Sequence, residues 1–105
     1  MTTATPVIDT LTDINMTSIE HTHLMPRELM LARIAALVAV DAPPASYLTN
    51  AGAASDSGIT EQDVQDVLIA VAPIVGTARV VSAAGNLMRA LGFAIAVAED
   101  SENVS

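Results

Sequence analysis

The apolar positions of this chain recur at helical spacing over most of its length. From Pro26 to about Val40 they fall at Leu29, Met30, Ile34, Leu37 and Val38, one face of a 3.6-residue repeat. Pro26 stands where a first turn tolerates proline, and Glu28 complements the positive end of the helix dipole. Asp41-Ala-Pro-Pro44 breaks the pattern. A second helix is predicted from about Ala45 through Ser55, with Gly58 supplying a left-handed cap. Thr60-Glu-Gln-Asp63, a variant of the capping box, opens a third helix with Val64, Val67, Leu68 and Val71 on one face. Pro73 and Gly76 end or kink it, and a last helix runs from about Thr77 to Ala98. Ahead of these, Asp9 to Glu20 carries Leu11, Ile14 and Ile19, which suits a short helix or turn lying on the core. Residues 1–8 read as a flexible lead and 99–105 as an acidic tail, leaving one domain over 9–98.

Valine content is the argument for strands, but alternation is poor, no hairpin dipeptide occurs and alanine is abundant. The fold class expected is all-α, a small helical bundle. In the last helix Gly85 and Gly92 lie seven residues apart on nearly one face, flanked by Ala84 and Ala96. Two helix-weakening residues on one stripe suggest a close helix–helix crossing, with local flexibility as the alternative.

Composition changes the picture in one respect. Hydrophobic residues make up 51% of the 105, yet aromatics are only 2%, Tyr47 and Phe93. Small side chains bury little area each, and a short chain has a poor ratio of volume to surface. Shared burial in a homo-oligomer is therefore expected. The net charge is −8, with four arginines and no lysine, which makes nucleic acid and anionic membrane surfaces poor partners. There is no cysteine, so disulfides, thiolate metal sites and thiol redox catalysis are excluded. The N-terminus has neither a basic start nor a signal-like apolar stretch, and the longest apolar runs fall well short of a span; a soluble, cytoplasmic protein is expected.

The order Arg27-Glu28-Leu29, then Gly58-Ile-Thr60-Glu-Gln-Asp-Val64, then Ile74-Val-Gly76-Thr-Ala78 resembles the carboxymuconolactone decarboxylase-like family, over roughly residues 24 to 95. The resemblance implies a bundle of the alkylhydroperoxidase D-like type assembled as a trimer or hexamer. It also implies one of two chemistries, decarboxylation of a carboxylated lactone with a histidine, or disulfide reduction by a Cys-x-x-Cys-x-x-x-His motif. The sequence departs from both. Asn50 stands at the histidine position, eight residues before Gly58, and Pro43 and Ser46 stand at the cysteine positions. Thiol peroxidase activity is thereby excluded, and asparagine does not exchange a proton near neutral pH as imidazole does.

The candidate site residues follow from this. Glu28 is the acid that the resemblance would turn toward a pocket; its structural alternative is a helix-start charge paired with Arg27 or Arg33. Asn50, Tyr47, Ser46 and Thr49 give the second helix a polar patch that either contacts a ligand or bonds locally. Arg27 and Arg33 are candidate ligand contacts. Arg33, Arg79 and Arg89 sit in apolar stretches and are expected chiefly to form structural ion pairs. His21 and His23 are the only imidazoles and hence the only histidine bases available, but no third ligand accompanies them and no metal or cofactor is expected. Three functions remain open: a family protein with lost or altered decarboxylase activity that binds a small carboxylated or lactone-like molecule at a subunit interface; a non-catalytic assembly protein; or an active lyase using His21 or His23.

Overall fold

A computed structural model of the chain describes the backbone of residues 5–103 and the side chains of residues 5–90. It consists of five helices: α1 (Pro6–His21), α2 (Pro26–Ala39), α3 (Pro44–Asp56), α4 (Glu61–Val75) and α5 (Thr77–Asn103). No strand occurs among the described residues.

The helix starts are set by proline and by local carboxylates. Pro6, Pro26 and Pro44 each occupy the first helical position, where the missing N–H is no loss. At α2 the Glu28 carboxylate accepts from the Met25 N–H at 2.9 Å, tying off the chain before the helix. At α4 the box predicted from the sequence is closed in both directions. Asp63 N–H donates to Thr60 Oγ1 (3.1 Å), and Thr60 N–H donates to Asp63 Oδ2 (2.8 Å). Gly58 (φ +78°) and Gly76 (φ +88°) turn the chain after α3 and α4 in the left-handed region. Asp41 takes the same region at φ +56° between α2 and α3, held by Ser82 Oγ donating to its carboxylate at 2.7 Å. Pro73 lies inside α4 without ending it; the break comes at Gly76.

Helices α2 to α5 form the bundle, α3 packing most extensively on α5 and α2 on α4. Met30, Ile34 and Val38 form the buried stripe of α2, Val38 with no exposed surface. Ala42, Tyr47, Leu87 and Ala90 make a contiguous cluster at the α3–α5 contact, with Leu37, Leu48, Val64 and Leu68 against it. Arg27 clamps this frame from outside. Its guanidinium makes paired bonds to Asp63 (2.6 and 2.8 Å) and a third to the Gly58 carbonyl (3.0 Å), joining α2 to the α3–α4 turn and the α4 start. This is the one ion pair among the described residues.

The first helix departs from expectation. It is longer than the Asp9–Glu20 segment, starting inside the stretch expected to be a flexible lead, and it does not lie on the core. No α1 residue is buried, and its backbone packs on no other helix. Arg33 reaches from α2 to Asn15 and to Ser18 Oγ (3.2 Å for the latter), fastening the C-terminal half of α1 while Val7, Ile8, Leu11 and Ile14 stay exposed. The radius of gyration is 15.1 Å, against about 13 Å for a compact domain of this length. The α5 helix continues past Ala98 to Asn103; side chains of the expected acidic tail, and the Gly92 and Ala96 part of the glycine stripe, lie outside the described residues. At Gly85 no partner helix approaches: an added Cβ would meet only Arg89 of its own helix, at 4.0 Å. Among the described residues no helix crosses closely at Gly85.

Val38→Ala should lower unfolding free energy by about 2 kcal/mol in chemical denaturation, the cost of deleting two fully buried methyl groups and leaving a void. The clamp sets a pH dependence. Hydrogen bonds from Arg27 and Thr60 hold the Asp63 carboxyl well below its ordinary value. A carboxyl depressed on folding contributes stability that is complete above its unfolded value, near 4, and is lost as pH falls toward the folded one. Asp63→Asn should therefore be less stable at pH 7 and show a flatter stability profile between pH 5 and about 2.

Candidate functional site

Among the described residues, two cavities open on α3. The first, of about 150 Å³, lies among α2, α3, α4 and α5 and is walled by Ile34, Leu37, Ala51, Ala54, Val64 and Leu87, with Tyr47 and Asn50 on its α3 side. A volume of this size holds a six-membered carbon ring. The wall is almost wholly apolar because the bundle meets here on Ala, Val and Leu. The second, about 270 Å³, lies under the C-terminal half of α1, between it and α2 and α3, and is more polar, with Asn15, Thr22, Arg33, Thr49 and Asn50 on its surface.

Tyr47 is the phenol in the lining of the first cavity. The residue is 5% exposed, and its hydroxyl is a buried polar atom with no hydrogen-bond partner. Burial, with the Asp41 carboxylate as the smaller cause, raises the phenol above its usual value, so it stays a neutral O–H donor. An unpaired buried hydroxyl costs about 1–3 kcal/mol. Asn50, one helical turn on, lies between the two cavities. Its amide nitrogen donates to the Ser46 carbonyl at 2.9 Å and is within 3.4 Å of Thr49 Oγ1. No protein donor reaches its carbonyl oxygen among the described residues.

Of the expected site residues, Tyr47 and Asn50 line the first cavity together, and Asn50, Thr49 and Arg33 line the second. Glu28 is exposed, caps α2 and borders neither cavity; it pairs with neither Arg27 nor Arg33. Arg27 is committed to Asp63 and Gly58. Arg33 borders only the second cavity, where Asn15 and Ser18 occupy it. Ser46 serves through its backbone carbonyl, which also accepts from Thr49 Oγ1 at 2.8 Å. His21 and His23 are exposed, at the end of α1 and in the connector, and line neither cavity. Among the described residues of one chain the other arginines bond neutral oxygens: Arg79 donates to the Ala39 carbonyl (2.8 Å) and Arg89 to Asn86 Oδ1 (3.1 Å).

Ile34, Leu37, Val64 and Leu87 belong to the site but carry no chemical signal in the sequence. Their spacing is that of any core position. The remaining polar groups at the first cavity are Ser55, Thr60 and Glu61, all exposed. No cation and no imidazole faces the first cavity, and no cluster of three or more metal-ligating side chains occurs among the described residues. No helix described is long and apolar enough to cross a membrane.

No curated protein and no solved structure shows significant similarity to the chain. A family model does match, over residues 6–90, which takes in α1 to α4 and the first half of α5. On that match, and on an all-helical fold that agrees with it, the chain belongs to the carboxymuconolactone decarboxylase family.

Proposed function

We propose that this protein is a binding member of its family, without the proton-transferring histidine and without thiol chemistry. Its apolar cavity takes a small neutral molecule with an oxygen acceptor, of which a lactone or ester carbonyl is the simplest case. The observation that carries this reading is the apolar cavity itself, whose lining includes Tyr47, a phenol with a buried hydroxyl and no protein acceptor. The ring or chain of the ligand would contact Leu37, Val64 and Leu87, and a carbonyl oxygen that reached the hydroxyl would complete its hydrogen bond. A carboxylate fits this cavity poorly, since Glu61 stands at it and no cation does. The lyase reading through His21 or His23 is weaker, because neither imidazole borders a cavity.

Binding of a short-chain alkyl γ-lactone, followed by isothermal calorimetry, tests the reading. Saturable one-to-one binding is expected, weakened about tenfold by Tyr47→Phe, the value of one hydrogen bond. Absence of saturation up to millimolar lactone, or equal affinity in the variant, would sink it. The same substitution should act oppositely on the free protein, raising its unfolding free energy by about 1 kcal/mol in urea denaturation, because an unpaired buried hydroxyl is removed.

A further inference from the structure

The second cavity differs in charge from the rest of the chain. Acidic residues outnumber arginines twelve to four overall, yet no carboxylate lines this cavity and Arg33 does. The other arginines are committed elsewhere, Arg27 to Asp63, Arg79 to the Ala39 carbonyl and Arg89 to Asn86. Arg33 meets only the neutral oxygens of Asn15 and Ser18 on α1, and no described carboxylate pairs with it. A guanidinium has more N–H donors than those two bonds engage. Thr22 also lines the cavity, half-buried, one turn beyond Ser18, whose carbonyl accepts from the Thr22 N–H at 3.1 Å. Its hydroxyl accepts from the Leu24 N–H at 3.2 Å and donates to no described residue. The Thr49 and Ser57 hydroxyls, by contrast, donate to the carbonyls of Ser46 and Ala53, both at 2.8 Å.

We propose that the second cavity binds a small monocarboxylate with an apolar body, its carboxylate held by Arg33 and Thr22. A guanidinium is the side chain best suited to a carboxylate, and the bonds it gives are charge-assisted. Ile19, Leu24, Leu29 and Met30 supply apolar surface for the body of the ligand. A cavity of about 150 Å³ accepts a six-membered carbon ring, and this one, at about 270 Å³, has room for such a ring and a carboxylate. The C-terminal end of α1 opposes an anion with about half a unit of negative charge, against the whole unit of the guanidinium. An ammonium ligand would meet Arg33 with no acid to offset it, and a neutral one would leave the guanidinium without an anion. The site does not rest on the lactone reading, since Asn50 is the only residue lining both cavities.

The test is calorimetric titration of the full chain at neutral pH with cyclohexanecarboxylate and, separately, with its uncharged amide. Saturable binding of the acid is expected, about tenfold or more tighter than the amide, the margin of a charge-assisted bond over a neutral one. Arg33→Gln should bring the two affinities together. Loss of the Arg33 bonds to α1 would weaken both ligands alike, so the ratio of the two affinities reports the charge and not the loosened helix. Methyl NMR of the wild type locates the ligand without any substitution. Signals of Ile19, Leu29 and Met30 should move on adding the acid, while those of Leu37, Val64 and Leu87 stay in place. Absence of saturation at millimolar acid, equal affinity for acid and amide in the wild type, or a preference that survives Arg33→Gln would each overturn the proposal. So would methyl shifts confined to Leu37, Val64 and Leu87. A failure of lactone binding at the first cavity would leave all of these readouts unchanged.

Discussion

Shortage of side-chain volume constrains everything else in this bundle. Met30, Ile34, Val38, Val67 and Leu87 are its larger buried aliphatic side chains, and Ala42, Ala83 and Ala90 fill much of the rest. Alanine lets helices approach but fills nothing once the backbones touch. Among the described residues Tyr47 is the one bulky ring at the α3–α5 contact, and it also lines the cavity beside it. The cavity is therefore a consequence of composition as well as a candidate site. Filling it would need little more than exchanging Ala51 or Ala54 for a larger apolar residue. Tyr47 and Asn50 in its lining are what separate it from a mere packing defect.

The frame was legible in the sequence wherever a backbone rule was involved. Pro26, Pro44, the Thr60–Asp63 box, Gly58 and Gly76 mark α2 to α4 to within a residue or two, because each acts within one turn of itself. The place of α1 was not legible, since Leu11, Ile14 and Ile19 have the same spacing whether they face their own core or another surface. Periodicity states that a face is apolar, and says nothing of what covers it. Long-range partners were equally hidden. Asp63 reads as a cap, and it is one, but its Oδ atoms also receive Arg27 from 36 residues away. Glu28 could be read as a pocket acid through resemblance, yet a carboxylate three residues into a helix has a nearer donor in the Met25 N–H, and the nearer donor won.

The candidate site was half legible. Asn50 stood out because of its place eight residues before Gly58, and Tyr47 as its neighbour in a polar patch. The structure joins them on one wall for an elementary reason: residues three apart on a helix share a face. Arg33 reads as a candidate ligand contact, but its guanidinium is taken by the amide and hydroxyl of Asn15 and Ser18 on α1. That bond is the strongest tie between α1 and the bundle.

Two costs are therefore carried by the same small protein: a buried hydroxyl with no partner, and a helix whose apolar stripe faces solvent. Each opposes stability in the isolated chain, and a chain with so few large core residues has little stability to spare. The two respond to different remedies. An oxygen acceptor that reached the hydroxyl would satisfy Tyr47 without touching α1, whereas the α1 stripe needs an apolar surface to cover it. Arg33 is where they meet. It borders the second cavity, which Asn50 shares with the first, and it ties α1 to α2 through Asn15 and Ser18.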